Sequence, residues 1–285
     1  MEFIKMQGAG NDFILFDGEK NADLLSRKDF EQKIKALCDR HFGIGGDGLM
    51  FSEMSREADI KMTYYNSDGS IAALCGNGIR CFAKFVYEEN IIRREEFNIE
   101  TLAGIIDVSL TVSGNFVESV AVHIGKPVFD APLIPVKTER QRDGNELIEE
   151  DIEIDAVPYK LYCLRVGVPH AVIFINDIDS LEVEALGRKI ENHPLFPERT
   201  NVNFAKIYNR EMVDLFTWER GAGRTLACGT GACAVAVVGG RENLLNRRVD
   251  INTEGGELIV EIEDSGEIIL AGEATTVFKG FVKNL

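Results

Sequence analysis

Several common chemistries lack their residues in this sequence. Only four histidines are present and no H-E-x-x-H occurs, so a dedicated zinc site is not expected. None of the six cysteines forms a C-x-x-C pair, and free thiols are expected rather than a disulfide framework. Basic residues are sparse: 31 Lys and Arg stand against 47 Asp and Glu, giving a net charge of −16. That argues against nucleic-acid or anionic-membrane partners, which need basic surfaces. No apolar run approaches the roughly 20 residues of a membrane span. Residues 1–16 lack a charged stretch followed by an apolar one, so no signal peptide is read and a cytoplasmic location is expected. Prolines number seven, three of them (Pro127, Pro132, Pro135) within residues 126–135, and no linker stands out.

What remains is an ordinary globular composition, 45% hydrophobic and 27% charged over 285 residues, long enough for two domains. Apolar and polar residues alternate at 60–64, 106–112, 120–124 and 258–262, and strands are also read at 161–166, 171–175, 202–207, 213–218 and 275–282. Helices are fewer. Ser26 is expected to cap one, with Asp29 in a capping-box-like start and Phe30, Ile34, Leu37, Cys38 and His41 on its inner face. A second is expected over 76–89, and a third after Asp177 with Leu181, Leu186 and Ile190 inward. A fourth, over 229–244, is apolar almost all round and so should be buried. Many strands and few helices, without βαβ alternation, predict an α+β fold in which curled, barrel-like, mostly antiparallel sheets wrap central helices. The charged run 139–155 reads as a solvated excursion. The boundary is placed at residue 118, giving domains 1–118 and 119–274.

An internal echo supports duplication. Cys75-Gly76-Asn77-Gly78 resembles Cys228-Gly229-Thr230-Gly231, 153 residues on (228 minus 75). Each copy follows a strand, opens a predicted helix, and has a second cysteine shortly after, Cys81 or Cys233. Each has a polar residue nine positions upstream at a strand end, Asn66 or Glu219. A thiol at a helix N-terminus meets the positive end of the helix dipole and unpaired N–H groups, which lowers its pKa and creates an anion site. Two such thiols are expected to face one cleft. If one is thiolate and the other thiol, one removes a proton from a carbon and the other delivers a proton to the opposite face. The α-carbon of an amino acid suits this, because its carboxylate would gain charge beside the helix ends.

The sequence resembles the diaminopimelate epimerases, among the cofactor-independent, two-cysteine amino-acid racemases and epimerases. The likeness runs through Gly8-Ala9-Gly10-Asn11-Asp12-Phe13, Gly43-Ile44-Gly45-Gly46-Asp47-Gly48, Asn66-Ser67-Asp68-Gly69-Ser70 and Cys75 to Cys81. It continues through Pro169-His170-Ala171-Val172, Arg199-Thr200-Asn201-Val202, Trp218 to Gly223, and Cys228 to Cys233. The resemblance implies inversion of L,L-2,6-diaminopimelate to the meso form, in lysine and peptidoglycan precursor synthesis. It implies two similar domains related by a pseudo-twofold duplication, a last strand (275–285) returning to the first, no pyridoxal phosphate, no metal, and a homodimer. Residue by residue, it implies Cys75 and Cys228 as the acid–base pair. Gly76, Asn77, Gly229 and Thr230 would offer N–H groups to the reacting carboxylate. Asn11, Asn66, Asn201, Glu219 and Arg220 would hold the amino groups and distal carboxylate, and His170 and Glu219 would help keep one cysteine ionised. Val168 stands where the family usually has Asn, which leaves a racemase of another amino acid, such as histidine, as an alternative.

Plainer readings stand beside these. Free cysteines are often small buried hydrophobes, and Cys38, Cys81, Cys163 and Cys233 are read that way. Gly43-x-Gly45-x-x-Gly48 matches a dinucleotide fingerprint by letter but follows a helix rather than a strand. Glu219 and Arg220 could form a surface ion pair of little consequence. A non-catalytic amino-acid binding protein is the alternative from another class, although binding alone needs no thiol.

Overall fold

Period-two alternation and short turns give this chain a strand-rich fold. A computed structural model describes residues 1–21, 29–138, 144–178 and 180–283. The chain divides into two compact units, residues 1–122 with 271–285, and residues 123–270. The first holds β1 (Glu2–Gly8), β2 (Asn11–Asp17), α1 (Phe30–Cys38), β3 (Gly48–Glu53), β4 (Ile60–Asn66), β5 (Ile71–Ala72), α2 (Gly76–Glu88), β6 (Glu96–Thr101), β7 (Gly104–Ser113) and most of β8 (Phe116–Gly125). Then come β9 (Ile148–Ile154), β10 (Val157–Val166), β11 (Val168–Phe174), α3 (Val183–Glu191), β12 (Asn201–Asn209), β13 (Met212–Glu219), β14 (Gly223–Thr225), α4 (Gly229–Arg241), β15 (Arg248–Thr253), β16 (Gly256–Ile262), β17 (Ile268–Gly272) and β18 (Thr275–Phe281).

The order repeats, and so does the pairing. β1 and β2 pair antiparallel, β2 and β3 parallel, β3 and β4 antiparallel, and β4 takes β5 antiparallel and β6 parallel. In the second unit β10–β11, β11–β12, β12–β13, β13–β14 and β13–β15 repeat the same senses in turn. β1 takes β18 as a further antiparallel neighbour, as β10 takes β9. The fold is therefore α+β, with two similar units, each a mostly antiparallel sheet on a central helix.

Those central helices are α2, packed on β1, β2, β3 and β7, and α4, packed on β10, β11, β12, β15 and β16. Residues Ala232 through Val238 of α4 are all buried, as an all-round apolar helix requires. Burial of Val235, Val237 and Val238 stabilises by roughly 2 kcal/mol each. On the other face of the first sheet, Ile34, Leu37 and Cys38 of α1 pack with Phe3, Ile14, Phe16, Leu49 and Phe51. In the second unit Val183, Leu186 and Ile190 of α3 pack with Ile173, Val202, Phe204 and Trp218.

Several expectations are corrected. Ser26 lies outside the described residues, and α1 starts at Phe30 with Asp29 as its N-cap. His41 is exposed rather than inward. The helix stops at Cys38 because Asp39 turns extended and its carboxylate accepts the His41 and Phe42 N–H groups at 2.7 and 2.8 Å. α4 ends at Arg241, with Asn243 in the left-handed region (φ 57°) closing it. Leu181 is half-buried but precedes α3. The described part of 139–155 is not a solvated excursion: it contains β9, whose Ile148 and Ile152 are buried in the core with α3. Strands β1, β2 and β3 escaped the alternation test because helices cover both faces of their sheet. Phe13, Ile14, Leu15 and Phe16 are consecutive and all buried.

Candidate active site

Cys75 is the extended N-cap of α2 (φ −136°, ψ 121°), and its carbonyl accepts the Ile79 N–H at 2.9 Å. The N–H groups of Gly76, Asn77 and Gly78 thus precede the helix ladder. Asn77 is buried; its Nδ2 donates to Asn11 Oδ1 at 2.6 Å, and Arg80 Nη2 donates to Asn77 Oδ1 at 3.0 Å. Arg80, itself fully buried, also donates to the Gly76 carbonyl at 3.2 Å. Asn11 Nδ2 donates to Asp47 Oδ2 at 3.1 Å, which fixes the amide with its oxygen toward Asn77. Arg40 bridges Asp47 and Asp12 with its Nη2 at 2.7 Å from each, and buried Lys5 lies 2.7 Å from Asp12. Burial alone would raise the Asp12 carboxyl, but hydrogen bonds from Arg40 and Lys5 outweigh it and hold the group well below the carboxylate range. Asn66 closes β4, with Nδ2 donating to Ser70 Oγ at 3.0 Å, and the next residue's N–H reaches the Asp47 carbonyl at 3.1 Å. The first unit thus brings Asn11, Gly76 and Asn77 together at Cys75, with Asn66 on an adjoining turn.

Cys228 repeats this position as the extended N-cap of α4 (φ −126°, ψ 109°), with the Ala232 N–H on its carbonyl at 2.9 Å. It is 5% exposed, whereas Cys75 is half-buried. Thr230 Oγ1 lies 3.5 Å from its sulfur, and the Glu219 carboxylate is beside it. Asn201, on the parallel neighbour of His170's strand, accepts the Arg220 N–H at 2.7 Å, and Arg220 Nη1 donates to the Glu198 carbonyl at 3.1 Å. His170 is fully buried, and Asn203 Nδ2 donates toward its Nδ1 (3.1 Å) and to the Ala171 carbonyl (3.2 Å). Thr217 Oγ1 donates to Asn203 Oδ1 at 3.2 Å. Val168 is 37% exposed and follows Gly167, whose Cβ position lies 3.8 Å from Thr230 Cγ2.

Two features of the local electrostatics bear on the roles expected of Glu219 and His170. Burial first, and the Glu219 carboxylate second, push the Cys228 thiol far above its ordinary range, against the opposing Thr230 hydroxyl and Gly231 N–H. Burial and the Glu219 carboxylate both act against the thiolate form of Cys228. Burial pushes His170 down to about 3, so its ring is neutral and brings no positive charge to the site. The other cysteines are buried; burial raises Cys38 to about 11 and Cys81 to about 12, which suits packing roles.

Sequence reasoning missed the residues that orient these groups. Asp47 lies inside the glycine-rich 43–48 motif with nothing local to give it a role, and Asn203 stands out only as a polar residue two places from Asn201 in a buried strand. Glu191, buried at the end of α3, gave no sequence signal. Among the described residues no group of three His, Cys, Asp or Glu could hold a metal, and no helix is long and apolar enough to cross a membrane.

A family model described as diaminopimelate epimerase matches residues 3–129 and 162–277. A protein named diaminopimelate epimerase from Caldanaerobacter subterraneus subsp. tengcongensis is 44% identical over 283 residues, covering 99% of this chain and 100% of the relative. One of the same name from Alkaliphilus metalliredigens is 45% identical over 284 residues, covering 100% and 98%. Among solved structures, a probable proline racemase from Agrobacterium radiobacter shares the fold with a TM-score of 0.67 at 16% identity, covering 99% of this chain and 92% of that one. A phenazine biosynthesis protein of the PhzF family from Bacillus anthracis gives 0.66 at 16%, covering 100% and 99%. With the family model matching on both sides of the repeat and relatives this similar over their full lengths, the chain belongs to the diaminopimelate epimerase family.

Proposed function

We propose that this protein is an isomerase that inverts one α-carbon of L,L-2,6-diaminopimelate to give the meso form, feeding lysine and peptidoglycan precursor synthesis. The observation that carries this is the duplicated cysteine N-cap: two thiols, each at the start of a buried helix whose first N–H groups precede its ladder. The reaction needs one thiolate to take the α-proton and one thiol to give a proton to the opposite face of the same carbon. No atoms are gained or lost, and the two thiols exchange protonation states. Cys228, kept protonated by burial and Glu219, is the donor in the resting enzyme, and Cys75 is the base. The N–H groups of Gly76 and Asn77, and of Gly229 and Thr230, stabilise the carboxylate as charge builds on it. Asn11, Asn66, Asn201, Glu219 and Arg220 hold the amino groups and the distal carboxylate. His170 acts through Asn203 as a positioning residue. No cofactor takes part. All six cysteines are free, in keeping with a cytoplasmic enzyme. A homodimer is the proposed assembly, and the exposed Val277, Phe278 and Phe281 of β18 offer it an apolar surface.

Proton NMR in D₂O with reduced protein tests this. Loss of the α-proton signal from L,L-diaminopimelate, with meso product appearing and L-histidine untouched, is expected, and Cys75→Ala and Cys228→Ala should each abolish inversion. Exchange of histidine alone would make Val168 a specificity residue of a different racemase. Wild-type inversion in either cysteine variant would refute the two-thiol assignment.

A further inference from the structure

Glu191 closes α3 and is 5% exposed. A buried carboxylate is strongly unfavourable unless its oxygens are engaged. Here Oε2 accepts the Trp218 indole N–H at 2.7 Å, Oε1 accepts the Gly221 N–H at 3.1 Å, and Arg199 Nη1 lies 3.6 Å from Oε1. These donors are not scattered. Trp218 and Gly221 flank Glu219 and Arg220, and Arg199 opens the segment carrying Asn201, whose Oδ1 accepts the Arg220 N–H at 2.7 Å. The indole is gripped as well: a Cβ on Gly187 would lie 2.6 Å from it, and the Arg188 guanidinium sits 5.6 Å from its ring centroid. One carboxylate therefore ties both ends of the 218–221 turn to the 199–201 segment.

We propose that Glu191 is a positioning residue whose carboxylate clamps the 218–221 turn at both ends and thereby holds Glu219 against the Cys228 thiol. Its catalytic consequence rests on the epimerase reading; its contacts do not. A helix end used only for packing would have no need of three polar donors converging on one buried group.

Glu191→Gln keeps the shape but turns an N–H₂ toward one of the donors. The reduced full-length chain is treated with iodoacetamide across a pH series, and Cys228 and Cys75 are followed separately by peptide mass spectrometry. Trp218, the only tryptophan, reports its own environment by fluorescence. With Glu219 no longer held in place, the Cys228 alkylation profile should move about one unit to lower pH, a tenfold change in thiolate. Cys75 should not move, the Trp218 emission should shift to the red, and kcat for diaminopimelate should fall more than KM changes. Profiles of the two thiols that shift together, or a Cys228 profile identical to wild type, would overturn the proposal. Trp218→Phe removes one donor only and guards against a Gln variant that does not fold: a smaller, Cys228-selective shift is expected, and none would again overturn it. Wild-type protein inert toward diaminopimelate, combined with a selective Cys228 shift in Glu191→Gln, would sink the epimerase reading and leave the clamp standing.

Discussion

His170 shows at residue scale how burial sets chemistry. Its ring is 0% exposed and lies at about 3 against an ordinary 6.5. Asn203 Nδ2 faces its Nδ1 at 3.1 Å. Between the two pKa values the unfolded chain binds a proton that the folded chain refuses. Stability therefore falls as pH drops from about 6.5 toward 3, by about 1.4 kcal/mol per pH unit. Asp12 has the opposite history: its folded pKa is depressed by Arg40 and Lys5 against burial, so its contribution holds above the ordinary 3.8 and is lost below it. The two windows separate, and loss above pH 4 belongs to the imidazole. Urea unfolding of wild type and His170→Gln should show a stability gap that narrows by about 2 kcal/mol between about pH 7.5 and pH 5. A gap independent of pH would mean that the ring is not held neutral.

The two central helices begin alike but rest on different floors. A Cβ on Gly78 would lie 2.2 Å from Met50 Cε and 3.4 Å from the Phe13 ring, whereas one on Gly231 would lie 2.3 Å from Asn203 Oδ1 and 3.3 Å from Thr217 Oγ1. Met50 Cε is the far end of a flexible side chain and can swing aside. Asn203 cannot move without giving up Thr217, His170 and the Ala171 carbonyl together. Gly78→Ala should change stability by less than about 1 kcal/mol, overpacking being offset by helix propensity, while Gly231→Ala should destabilise by about 2–3 kcal/mol. Equal costs in chemical denaturation would show that the polar floor is as pliable as the apolar one. This difference was hidden in the sequence. The paired C-G-x-G motifs were legible because a cap, a helix start and close-approach glycines are local features. The floors come from β2, β3, β11, β12 and β13, and which of their residues meet under a helix is set by register. Local signals likewise revealed α2 and α4, but β1 to β3 show no alternation because both faces of their sheet are covered.

Over the whole molecule, the echo between Cys75 and Cys228 was the visible trace of a repeat that runs through the pairings of β1 to β7 and of β10 to β16. Sequence similarity survives at the caps, where few residues can serve. It fades in the strands, where many apolar residues fill the same space. The repeat also explains the place of β18. β10 receives its outer neighbour, β9, from the residues just before it, whereas β1 receives the equivalent strand from the far end of the chain. β18 pairs with β1 from Glu2 opposite Phe281 to Gln7 opposite Thr275, and the Met1 amino group donates to the Val282 carbonyl at 2.8 Å. Phe3 packs edge-on against Phe278 with ring centroids 5.8 Å apart, and Gly280 lies so close beneath it that a Cβ would be 2.5 Å from the Phe3 ring. Removing residues 275–285 strips β1 of one ladder and exposes Phe3, both of which protect its amides. Hydrogen exchange at Phe3 to Gln7 should accelerate at least about 100-fold in the truncated chain, while β10 to β13, whose partners are all local, keep their protection. A milder cut tests the same point: Gly280→Val should overpack Phe3 and open β1 selectively. Uniform acceleration across both units would instead mean that the last strand supports the fold as a whole rather than completing one sheet.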